Sequence, residues 1–194
     1  MSNLNNTNSK RNMQENDDLI AEGILSLLQQ DLGKAAISAA DISRETGINR
    51  CVVQNHVSDG EFFPRNYQRI VDDFKQQSLV PGKQAFASAF LSHVQQHRKW
   101  FEIEFIENRY RLYKEIMDAL EEQITAGWSR QTDRQKKLFY RLYCGEVFNL
   151  LSEWYEHDTF QNPDSQKDRL TRLTKAFGDG NQYRIMNVIL FPEE

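Results

Sequence analysis

Apolar residues along this chain recur mostly at the three-to-four-residue spacing of helices. Leu19, Ile20, Gly23, Ile24, Leu27 and Leu28 line one stripe of a helix over Leu19–Gln30. Ala39, Ile42 and Thr46 share a face of a short second helix, and Val53 and Val57 form the inner side of a third. A fourth runs through Tyr67 to Gln77. Further on, Phe86, Phe90, Val94, His97 and Phe101 keep one helical face. Ile106, Leu112, Ile116, Leu120 and Ile124 mark another helix, which Gly127 ends. A polar loop from Ser129 to Asp133 then leads to a long helix with paired apolar positions: Leu138/Phe139, Leu142/Tyr143, Val147/Phe148, Leu150/Leu151 and Trp154/Tyr155. An apolar face that wide predicts packing inward and against a second chain. Gly145 in its middle permits close backbone approach, otherwise a costly choice in a helix. Asn162-Pro163 opens a last helix through Leu170, Leu173 and Phe177, stopped by Gly178 and Gly180. The tail from Tyr183 to Phe191 is apolar and fits no assigned element. The pattern predicts an all-α protein.

The most specific local signal lies between Ser38 and Phe63. Ser38 is a helix cap, and Asp41 three positions later forms a weak version of a reciprocal capping box. Gly47 ends that helix in a left-handed conformation open to glycine at no Cβ cost. Ile48 plugs the turn and Asn49 caps the next helix, expected to run about three turns. Two short helices joined this way match a helix-turn-helix, with Arg50, Cys51, Gln54 and Asn55 facing outward where base edges would be read. A plain two-helix hairpin has similar spacing. Pro64 removes a helical hydrogen bond, so the fourth helix is expected to begin near Glu61 or Phe62 or to bend.

Composition refines this organisation. Residues 1–16 hold six Asn and little apolar content, which reads as a disordered arm carrying Lys10 and Arg11. The helix-turn-helix domain is expected over 17–80, with Val80-Pro81-Gly82 as the linker and a helical domain over 81–194. The 194 residues suffice for a sizeable core. No apolar run approaches the roughly 18 residues of a membrane span, so no membrane partner is expected. The first residues lack an apolar signal core, which points away from secretion. Cys51 and Cys144 have no metal-ligand spacing, and reduced thiols in a cytoplasmic protein are expected. From Asp17 to Tyr67, Lys34, Arg44, Arg50 and Arg65 face eight acids, a net charge of −4. Strong DNA binders are usually basic in this region.

Leu19–Gln30 as a first helix, the run Asp41-Ile42-Ser43-Arg44-Glu45-Thr46-Gly47-Ile48-Asn49-Arg50, and His56, Val57, Asp59, Glu61 and Phe63 after it together resemble TetR-family transcriptional regulators. The likeness covers about residues 17–178. Within the family, the Ile-Asn-Arg turn and the segment Gly145–Leu170 look most like regulators of the dihydroxyacetone-kinase activator type. The resemblance implies an N-terminal three-helix helix-turn-helix domain and a C-terminal helical bundle for ligand binding and dimerisation. It implies a homodimer on a double-stranded DNA operator, with the last two helices in the dimer interface. The expected DNA-binding set is Ser38, Asn49, Arg50, Cys51, Gln54, Asn55 and His56. An unknown small-molecule effector or protein partner is also implied. Its expected pocket is Phe86, Phe90, Phe101, Phe105, Tyr110, Tyr113, Met117, Tyr140 and Tyr143, though any one of them taken singly is read first as plain core. Effector binding would alter the spacing of the two recognition helices. The sequence departs from the family pattern where Gln54 replaces a Tyr, Val57 an aromatic residue and Gly60 a Lys. These departures open a second reading, a TetR-fold protein that docks another protein.

Catalysis finds no support: there is no Ser-His-Asp order, phosphate loop or CxxC pair. His93 and His97 lie four apart, with Glu102 and Glu104 nearby, but Gln95, Gln96, Arg98 and Lys99 make the segment read as polar surface. Neither metal nor cofactor is expected. His157-Asp158 suits a helix C-terminus, and Trp128 reads as a helix-end anchor.

Overall fold

A computed structural model describes residues 2–30, 36–58, 60–77, 86–126, 128 and 131–178, with the side chains of residues 2–11 and 123 left aside. Among them the protein is all-helical: α1 (Ser2–Gln29), α2 (Ala39–Thr46), α3 (Arg50–Val57), α4 (Phe62–Gln76), α5 (Phe86–Gln96), α6 (Arg98–Glu107), α7 (Arg111–Thr125), α8 (Asp133–Asp158) and α9 (Asp164–Gly178). The Val80-Pro81-Gly82 linker, Lys34, Asp59, Gly127, Ser129, Gly180 and the Tyr183–Phe191 tail lie outside the described residues, as do the side chains of Lys10 and Arg11.

The chain divides into two compact units, Met1–Arg69 and Ile70–Glu194. The division falls within α4. The reason is side-chain partnership: Asn66 hydrogen-bonds within the first unit, whereas the Phe74 ring meets Phe90 and His93 of the second.

In the first unit, α1 lies against α2. Ile20, Ile24 and Leu27 of α1, Ile42 of α2, Val53 of α3 and Phe62 and Tyr67 of α4 are buried. Leu19 departs from the expected stripe and is exposed. Its replacement on the inner face is Ala21, because 100° per residue carries position 19 off the buried arc. Gly23 sits where a Cβ would strike Cγ2 of Thr46, so its missing side chain allows α1 and α2 their separation. Residues 2–16, expected as an arm, form the first half of α1. Extending a helix past a packed segment adds one hydrogen bond per residue and needs no new nucleus. Residues 12–15 of this extension are exposed.

The second unit is built on aromatic side chains. Phe86 and Phe90 (α5), Trp100 and Phe101 (α6), Tyr143 and Trp154 (α8) and Phe177 (α9) are buried. The face running from Phe86 to Phe101 breaks at His97, where α5 ends and α6 starts. Ile106 belongs to α6 and not to the following helix. That helix, α7, begins only after Asn108 and Tyr110, both left-handed at φ 54° and 51°. A second such corner, Thr159 and Phe160, separates α8 from α9. Burial of the Phe160 ring against Phe101, Phe105, Trp154 and Tyr155 offsets the backbone strain. Trp128 is buried as an anchor, its indole N–H donating to the Phe177 carbonyl. No helix among the described residues is long and apolar enough to cross a membrane.

Candidate nucleic-acid interface

The segment from Ser38 to Ser58 is held by short-range hydrogen bonds. The Ser38 hydroxyl accepts from the Asp41 amide, and the Asp41 carboxylate accepts from the Ser38 amide at 3.1 Å, a complete capping box. The Ser38 hydroxyl and amide hold the Asp41 carboxyl below the usual carboxylate range. Gly47 ends α2 at φ 73°, ψ 0°, its amide donating to Ser43 O. Ser43 Oγ donates to Ile48 O at 2.7 Å and Thr46 Oγ1 accepts from the Ile48 amide, closing the turn on both sides of Ile48. Asn49 Oδ1 then accepts from the Cys51 amide at 2.8 Å and starts α3.

α3 spans eight residues, nearer two turns than the three expected. It stops at Ser58, beyond which Gly60 takes φ 73°. α4 begins at Phe62, as the position of Pro64 leads one to expect. Pro64 occupies the third position of that helix, where the missing N–H is one that a first turn leaves unpaired anyway. The first i→i−4 bond runs from Arg65 N to Glu61 O.

The expected DNA-facing residues divide into three groups. Arg50, Cys51, Gln54 and Asn55 are exposed on α3. Ser38 and Asn49 serve as caps, their side-chain oxygens already accepting from backbone amides. His56 does not face outward. Its Nδ1 lies 2.6 Å from Asp17 Oδ1 of α1, with only 13% of the side chain exposed. A carboxylate only accepts, so His56 Nδ1 carries the proton of this bond.

Asp17 is the hub that sequence reasoning missed. It is 3% exposed and also accepts from Arg65 (Nε 3.1 Å, Nη2 2.8 Å) and from Asn66 Nδ2 at 3.0 Å. Arg65 Nη2 donates in addition to the His56 carbonyl. Burial alone would raise the Asp17 carboxyl; the bonds from Arg65, His56 and Asn66 outweigh it and hold the group below the usual carboxylate range. Asp18 pairs with Arg69 at 3.1 Å. The only hint in the sequence was a pair of acids opening an otherwise apolar stripe.

In the second unit, the residues of the expected effector pocket pack against several different partners. Phe86 and Phe90 stack beside Phe74. Phe105, Tyr110 and Tyr113 each meet Phe148, which sequence reasoning left out of the set, and Phe101 and Phe105 both meet Phe160. Tyr140 donates its hydroxyl to the Met117 carbonyl, Tyr113 to the Cys144 carbonyl, and Tyr143 lies 3.3 Å from the Thr174 hydroxyl. These tyrosine hydroxyls therefore satisfy the protein itself. Burial pushes all three tyrosines above the ordinary phenol range. It also pushes the Cys144 thiol up to about 11, whereas Cys51 is exposed.

His93 and His97 are buried rather than on a polar surface, at 1% and 7% exposure. α5 lies against α9, and the Phe74 ring covers His93. Burial holds His93 below the usual imidazole range, against opposing effects of the Ile70 backbone and Asp73. Glu102 and Glu104 are buried too, and Glu104 Oε2 accepts from the Leu112 amide at 2.6 Å, capping α7. Burial raises Glu102 despite the nearby Arg98. Among the described residues no group of three or more His, Cys, Asp or Glu is arranged to hold a metal ion.

Comparison with protein-family models, curated proteins and solved structures found no match to this chain.

Proposed function

We propose that the protein is a TetR-like helix-turn-helix regulator that binds double-stranded DNA as a cytoplasmic homodimer. The observation that carries this reading is the exposed set Arg50, Cys51, Gln54 and Asn55 on a helix whose start is fixed by two caps and a left-handed glycine. Side chains at the start of such a helix reach base edges, and an Arg is the commonest partner of guanine. Dimerisation gains support from α8. Its exposed face carries Arg134, Lys137 and Arg141 before the exposed Gly145, and Glu153 and Glu156 after it. Two copies crossing antiparallel at Gly145 would set basic halves against acidic ones, though Glu153 also pairs with Arg169 of α9. Beside Gly145 the chain leaves open space. The effector reading rests on the family resemblance; the buried Trp154 Nε1 and His93 Nε2 have no hydrogen-bond partner among the described residues and are polar atoms open to a small ligand.

Selection of duplexes from a random pool, at low and near-physiological salt, tests DNA binding. A palindrome enriched at both salts is the expected result. On that duplex, Arg50→Ala should cost about 1–3 kcal/mol of binding. Unchanged affinity would remove Arg50 from the reading role.

One observation favours protein docking instead. The 17–67 region is net acidic, and both Arg65 and His56, two of its potential phosphate contacts, are engaged by Asp17. A pool that enriches nothing, or binding that vanishes at the higher salt, supports that reading.

A further inference from the structure

The bonds around Asp17 join three helices of the first unit: α1 through Asp17, α3 through His56, and α4 through Arg65 and Asn66. His56 is the last residue but one of α3, so its ring and carbonyl are both held at the helix end opposite Arg50. The caps at Ser38 and Asn49 fix where α3 begins relative to α2, but these bonds act at that end alone. Val53 is the buried apolar anchor of this eight-residue helix. A buried, charge-assisted bond holds the far end, because such a bond is short, directional and stronger than a neutral one.

We propose that the Asp17–His56 pair is the positioning contact that sets the angle at which α3 presents Arg50, Gln54 and Asn55 to DNA, and that His56 itself does not touch the nucleic acid. The proposal rests on the DNA-binding reading for its functional consequence, but the positioning itself is independent of it. Asp17 orients α3 through His56, and Arg65 holds the same carboxylate while bonding the His56 carbonyl. A helix held at both ends meets its partner without first losing orientational freedom, which raises affinity with no added contact.

Two variants separate positioning from direct contact. In His56→Asn the side-chain amide nitrogen falls near the site of imidazole Nδ1 and keeps a donor to Asp17; His56→Leu keeps bulk and loses the donor. With the duplex selected for the wild-type protein, His56→Leu should weaken binding about tenfold, while His56→Asn stays close to wild type. Equal loss in both variants would make the imidazole a DNA contact and overturn the proposal, and so would wild-type affinity in both. Hydrogen exchange of the full chain needs no DNA. His56→Leu should speed exchange of α3 amides from Val53 to Val57 relative to those of α2, and His56→Asn should not. If no duplex is selected, the DNA reading fails while this exchange difference still decides the positioning role. Exchange that rises equally in α2 and α3 would mean general destabilisation and would sink the proposal.

Discussion

The turn between α2 and α3 and the corner between α8 and α9 both need left-handed backbone, and they obtain it by opposite means. At the first, glycine supplies it: Gly47 at φ 73° has open space where a Cβ would sit. At the second, Thr159 and Phe160 adopt φ 44° and 59° although both carry side chains, and Phe160 is β-branch-free but bulky. The ring of Phe160 is fully buried among Phe101, Phe105, Trp154 and Tyr155. The two corners show conformational preference obeyed in one place and overridden by packing in the other. Left-handed strain costs about 1–2 kcal/mol per residue, and burial of a large apolar side chain stabilises by about 1.5–3 kcal/mol. Packing can therefore win at a single residue.

The largest expected effect would come from removing the packing that overrides the strain. Phe160→Ala keeps the left-handed cost and loses the ring, and should destabilise the protein by about 3–5 kcal/mol in urea unfolding. A loss below about 1 kcal/mol would show that the aromatic cluster does not hold this corner. Gly47→Ala is the converse experiment. With open space around it, the added methyl meets no neighbour, so the cost is that of the backbone alone, about 1–2 kcal/mol. A neutral result would mean that the turn does not depend on a left-handed residue.

The last effect is read as a pH dependence and belongs to Asp17. Its carboxyl is held below its ordinary value of 3.8 in the folded protein, so the ionised form stabilises the fold. That contribution is fully present above pH 3.8 and disappears as pH falls through the lower folded value. Wild-type stability should thus decline in acid more steeply than that of Asp17→Asn, with parallel curves above about pH 5. Parallel curves throughout the acid range would mean that Asp17 gains nothing from Arg65, His56 and Asn66.

Legibility in the sequence followed the range of the interactions. Ser38, Asp41, Gly47 and Asn49 were readable because each acts on backbone no more than four residues away. Pro64 was readable in the same way: a proline is tolerated in a first turn, so it marks the start of α4 at Phe62. The engagement of His56 by Asp17 was not legible because Asp17 lies 39 residues earlier and no local pattern links them. His93 and His97 read as surface beside Gln95, Gln96, Arg98 and Lys99. Their burial depends on Phe74 from another helix and on the packing of α5 against α9.

The sequence by itself determined that the described chain is helical, where α2 and α3 are capped, and which side of α3 carries Arg50, Gln54 and Asn55. Helical periodicity and caps are set within one or two turns, so neighbouring residues suffice to specify them. Tertiary structure decided that Asp17 gathers His56, Arg65 and Asn66, that the Tyr113 and Tyr140 hydroxyls donate to backbone carbonyls, and that Phe160 takes a left-handed conformation. Each of these joins residues far apart in the chain, and desolvation ties them together: a buried charge, hydroxyl or ring must find its partner among whatever the fold brings beside it.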